Sequence, residues 1–85
     1  MSEKEYLINE LKNIKVALNG TSDRLRQLVT EAESKGLHID SEFEVHGDLL
    51  VLHANNELIR QITKLGQETI DLVDQLSEVE HKLSH

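Results

Sequence analysis

Ten positions spaced alternately four and three apart run unbroken from Val51 to Leu83: Val51, Asn55, Leu58, Ile62, Leu65, Thr69, Leu72, Leu76, Val79 and Leu83. A mainly apolar repeat of 3.5 residues, kept up over four heptads, marks a helix packed along its whole length against another helix. A second seam precedes it: Lys4, Leu7, Leu11, Ile14, Leu18, Thr21, Leu25, Leu28, Ala32 and Lys35. The two seams predict long helices over about residues 3–35 and 49–84, joined by a connection over about 36–48.

Two local signals bear on the first helix. Ser2 followed by Glu5 makes a capping box at its start. Asn19-Gly20 in its middle is ordinarily a turn signal, yet the heptad phase passes through it without a slip. A turn has no reason to preserve that phase. One continuous helix is therefore expected, with Gly20 costing about 1 kcal/mol relative to alanine. Gly36 after Lys35 is a suitable helix end, and Asp48 is placed to cap the second helix.

The connection is read as an irregular loop or a short helical turn, with Ser41 and Glu44 as a further capping box. Leu37, Ile39, Phe43 and Val45 alternate with polar residues there, so a short strand hairpin is the competing reading. Helices of this length, about 50 Å each at 1.5 Å per residue, fold back into an antiparallel pair. Residue i then lies beside about 85 minus i. Gly20 and Thr21 fall level with Leu65, Gly66 and Thr69, a thin and polar waist.

The chain of 85 residues forms at most one domain, and it has no cysteine and no proline. At this size a single core stabilises a fold only barely, and self-association is the expected remedy. The flanking e positions agree. With Leu11 and Ile62 at a, they are Ile8, Lys15, Ser22 and Val29, then Leu52, Ile59, Gly66, Val73 and Glu80. A two-stranded coil places charges at such sites, whereas a stripe widened to a, d and e is what a larger bundle buries. The expected fold class is all-α: an antiparallel hairpin self-associating into a four-helix bundle, a homodimer, or a higher helical oligomer. Its interface is expected to use Ile8, Val29, Leu52, Asn55, Ile59 and Val73. A seam asparagine such as Asn55 either fixes register by its amide or stands near a helix start in water.

The net charge is −7. Residues 1–35 are balanced, residues 36–48 carry four acids and no base, and residues 49–85 carry six acids and three bases. Such a field repels phosphate backbones and anionic membranes. The charged start and the lack of any long apolar run point to a soluble, cytoplasmic protein without a membrane segment.

No constellation in the sequence argues for catalysis. Glu78, His81 and His85 form half of a helical metal motif, and one such half is not a di-iron site. His38, His46 and His53 flank the acidic connection, whose Asp40-x-Glu42-x-Glu44 opens like a calcium loop. Val45 and Val51 then stand where the loop needs glycine and a bidentate glutamate. No cofactor or metal is expected. The expected function is a non-enzymatic interaction module: an acidic helical bundle that binds itself and modulates another protein. The loop and waist residues Phe43, Glu44, His46, Thr21 and Thr69 are the candidate partner contacts. Alternatives are an RNA-binding hairpin dimer, with Lys12, Lys15 and Arg26 as a basic strip, and a small-ligand or metal binder.

Overall fold

The computed structural model describes residues 2–84. It is a rod of 55 × 18 × 15 Å in which two antiparallel helices carry a small β-hairpin on one side. The elements are α1 (Glu3–Ser34), β1 (His38–Ile39), β2 (Val45–His46), α2 (Leu49–Ala54) and α3 (Asn56–Leu83).

The caps follow from the residues that mark them. Ser2 Oγ accepts the Glu5 N–H at 3.2 Å, the N-terminal half of the predicted capping box. At the other end Leu37 N–H donates to the Ala32 carbonyl at 3.0 Å and Gly36 N–H to the Glu33 carbonyl at 3.1 Å. This pair of bonds is the Schellman ending, and it requires the left-handed backbone that Gly36 adopts at φ +89°. It also turns Leu37 back onto Ala32, and both side chains are buried in one cluster.

The first helix is continuous through Asn19-Gly20, as the unbroken phase implied. A Cβ at Gly20 meets nothing within 4 Å. Replacing Gly20 with alanine is therefore expected to stabilise the protein by about 1 kcal/mol, since only helix propensity changes. A rise in Tm of about 4–8 °C in a thermal melt checks this.

The second helix is corrected. It is not one element over 49–84 but breaks at Asn55, whose backbone (φ −116°, ψ 27°) leaves the helical region. The Asn55 amide donates to the Val51 carbonyl at 2.9 Å. Its side chain thus bonds back to its own helix. The Ile59 N–H still reaches the Asn55 carbonyl at 3.0 Å, so the break is a bend and the seam keeps its phase. Asp48 caps α2 as expected, accepting the Leu50 N–H at 2.9 Å.

The seams meet in two apolar clusters separated by the waist. Leu25, Leu28, Ala32, Leu37 and Ile62 form one, and Leu7, Ile14 and Val79 the other. Apart from Leu37, every one of these holds an a or d position. Among the described residues no polar or charged side chain is buried.

The connection is the second correction. It is a hairpin of strands, with His38 paired to His46 and Ile39 to Val45. The Ser41–Glu44 capping box does not form. Asp40 performs the capping instead: its Oδ1 accepts the backbone N–H groups of Glu42 and Glu44 at 2.9 and 3.0 Å. Phe43 N–H donates to the Asp40 carbonyl, and Asp40 N–H to the Glu44 carbonyl, each at 3.0 Å. Three residues thus close the hairpin, the last of them left-handed at φ +64°. Glycine normally holds that position. Here it is Phe43.

Candidate functional site

Antiparallel packing brings the e positions of both helices onto one side of the rod. The two halves of this side differ. Around the upper cluster the hairpin lies over it like a tongue, with Ile39, Phe43 and Val45 packed against the cluster alongside Val29, Leu52 and Ile59. The alternation behind the competing strand reading explains the fit: odd positions Leu37, Ile39 and Val45 are covered and His38, Glu44 and His46 are exposed. At the tip the Phe43 ring rests on Gly66, which is buried. A Cβ built on Gly66 stands 2.5 Å from Phe43 Cβ and 2.6 Å from Cγ. Gly66 is therefore the seat of Phe43, and the waist is filled from within the chain.

Below the tongue the same side is bare. Ile8 and Val73 are 47% and 44% exposed, and Ile70, one turn before Val73, is 39% exposed. Val16, level with Ile70 in the antiparallel register, is also exposed. Exposed apolar side chains gathered on one side of a helix pair are a mark of a contact face. Lys12 and Lys15 border it on α1 and Glu80 on α3.

The remaining candidates fall into place around these halves. Thr69 Oγ1 donates to the Leu65 carbonyl at 2.8 Å, within its own helix. Thr21 is half-buried at the same height. The strip of Lys12, Lys15 and Arg26 includes one residue engaged locally, Arg26, at 3.9 Å from Asp23. Exposed pairs of this type contribute little to stability. Glu78 likewise faces Lys82 at 3.6 Å. His85, and with it the predicted His81–His85 pair, lies outside the described residues. A shallow cleft between the helix ends is lined by Glu3, Lys4, Leu7, His81, Lys82 and Leu83. At the opposite end of the rod Leu49 and Leu50 are more than 80% exposed.

On the outer face of the tongue His46 Nε2 lies 2.9 Å from Asp40 Oδ2. The Asp40 carboxyl is held below the ordinary carboxylate value of 3.8, first by that bond and then by the backbone N–H groups of Glu44 and Glu42. The carboxylate of Glu44 joins them, and the ligand atoms of Asp40, Glu44 and His46 all lie within 4.8 Å of one another. Glu44 and His46, named in the sequence as partner contacts, are thus brought together. Asp40 was visible only as one acid among several, and what marks it is its place opposite Glu44 across a three-residue loop.

No described helix is long and apolar enough to cross a membrane. The chain matches no protein-family model, no curated protein and no solved structure, so its function has to be read from its own residues.

Proposed function

We propose that this chain is a small, acidic, non-enzymatic interaction module that works as a homodimer and binds and modulates another protein. The observation that carries the reading is the division of the e-position side. The chain covers the upper half with its own tongue and leaves Ile8, Ile70 and Val73 bare below it. A second copy is the occupant of that lower half.

Area supports this choice. A compact monomer of 9.7 kDa exposes about 5,100 Å², whereas this chain exposes 6165 Å², an excess of about 1,000 Å². That excess is close to the roughly 800 Å² that each partner of a standard interface buries. The border charges fit as well. A copy laid antiparallel, α1 across from α3, sets Lys12 and Lys15 of one protomer towards Glu80 on the α3 edge of its partner. The dimer is then a four-helix bundle in its lower half and a helix pair with a tongue in its upper half. Leu49 and Leu50, next to Asp48 and the acidic hairpin, remain free for a partner with apolar and basic surface.

The double substitution Ile8→Asp with Val73→Asp tests the dimer. It places four charges in the interface and none in either core cluster. Association is expected to weaken at least about a hundredfold, since like charges and desolvation act together. Light scattering on a sizing column is expected to give one chain mass for the variant and twice 9.7 kDa for the parent. Unaltered mass in the variant contradicts the assignment of this face.

A further inference from the structure

We propose that the outer face of the tongue is a binding site for a divalent first-row transition cation, with zinc as its simplest occupant. Every water-facing position of the two strands and their first inter-strand extension carries a metal-ligand side chain. Register sets His38 opposite His46. One step nearer the tip, the Asp40 N–H bond to Glu44 sets those two carboxylates opposite each other. The pattern reads the same outward from Glu42 in both directions: Asp40 and Glu44 two residues away, His38 and His46 four away. The result is a square of two imidazoles and two carboxylates on one face, with Ile39 and Val45 on the other.

The geometry is close to what a cation needs. Donors at about 2.0–2.2 Å from a metal lie about 3–4 Å from one another. The ligand atoms of Asp40, Glu44 and His46 are within 4.8 Å of each other. The His38 ring stands 6.4 Å from that of His46, centroid to centroid, near enough to close as the fourth ligand by a rotamer change.

The hairpin itself does not require this set. Its turn uses Asp40 Oδ1 alone, which leaves Oδ2 directed at His46 Nε2. A cation takes the place of the proton shared by those two atoms, and that proton leaves to solvent. The side chains of Glu44 and His38 have no task in the turn. Any polar side chain serves equally at those exposed positions. The histidine pair is what separates this array from an ordinary acidic cluster. Two nitrogen and two oxygen donors suit zinc, cobalt or nickel better than calcium, and the absence of thiolate disfavours copper(I). A bound cation ties β1 to β2 and so holds the Phe43 tip on Gly66.

The site stands independently of the homodimer. Zinc chloride titrated into the chelator-treated full chain, followed by calorimetry and by imidazole nitrogen shifts, tests it. The expected result is one equivalent per chain, with perturbation of His38 and His46 and a rise in Tm. His38→Ala and Glu44→Gln are the decisive variants, because both leave the Asp40 turn bonds and the Asp40–His46 bond intact. Each is expected to weaken zinc by about tenfold or more, with helicity unchanged. Absence of binding at 100 µM zinc, an order-of-magnitude ceiling for such a site, overturns the proposal. So does binding that His81→Ala removes and the two hairpin variants leave intact.

Discussion

Replacing Ile62 with alanine is expected to cost about 3–4 kcal/mol, which lies within the range of buried isoleucine truncations. Ile62 is the one large side chain with no exposed surface among the described residues, and it holds an a position of the upper cluster. Leu25, Leu28 and Ala32 meet it from α1, and the tongue closes over the same cluster from the side. The cavity left by truncation has walls on both helices and a hairpin roof. None of these walls can collapse without giving up contacts of its own. At about 0.05–0.15 kcal/mol per residue, a chain of this size has little stability to spare. A urea titration at fixed protein concentration is expected to show most of the transition shifted to low denaturant. A loss below about 1 kcal/mol contradicts the placement of the core.

The Phe43–Gly66 pair carries the second large effect, and its sign depends on background. In the parent, Gly66→Ala drives a methyl into Phe43 Cβ and Cγ, atoms too near the backbone to swing away. Overpacking of this kind costs about 1–3 kcal/mol and lifts the tongue tip from the helices. Once Phe43 is alanine, the ring that opposes the new methyl is gone. Gly66→Ala then gains helix propensity, about 1 kcal/mol, and stabilises. Phe43→Ala alone is expected to cost about 2 kcal/mol, less than a fully buried phenylalanine, because Phe43 keeps part of its surface in water. A double-mutant cycle by urea melts reads the coupling directly. Equal effects of Gly66→Ala in both backgrounds show that Phe43 is not seated there.

The residue at the tip also explains what the sequence concealed. Both seams, their phase through Gly20, the Gly36 ending and the Asp48 cap were legible because each is a local rule obeyed. The hairpin was not, because its loop breaks the local rule: the left-handed position holds phenylalanine where turn statistics ask for glycine or asparagine. That backbone state costs a non-glycine residue about 1–2 kcal/mol. It persists because the ring gains a seat on Gly66, a contact 23 positions away that no local pattern reveals. Ser41 and Glu44 misled for a related reason. Their spacing fits a helix cap, but Asp40, one residue earlier, offers the better acceptor for the same N–H groups.

The wide stripe is expected to need more cover than one partner helix gives, and within the chain part of that cover is the tongue. Val29, Leu52 and Ile59 pack against the same upper cluster as Ile39, Phe43 and Val45 of the tongue. Only Ile8 and Val73 of the apolar e positions are left exposed. Periodicity tells which residues need covering, and it is silent on whether a neighbouring strand or a second protomer supplies the cover. Asn55 shows the same limit. Its polarity in an apolar seam was plain, but its bond to the Val51 carbonyl belongs to the bend between α2 and α3.

The central claim, that the bare lower half of this face is closed by a second copy, is tested most directly by sedimentation equilibrium of the full chain at several concentrations. A single species of twice 9.7 kDa, dissociating only on dilution, is the predicted result. A mass of one chain at every concentration contradicts it, and Ile8, Ile70 and Val73 then form a surface that this protein keeps open.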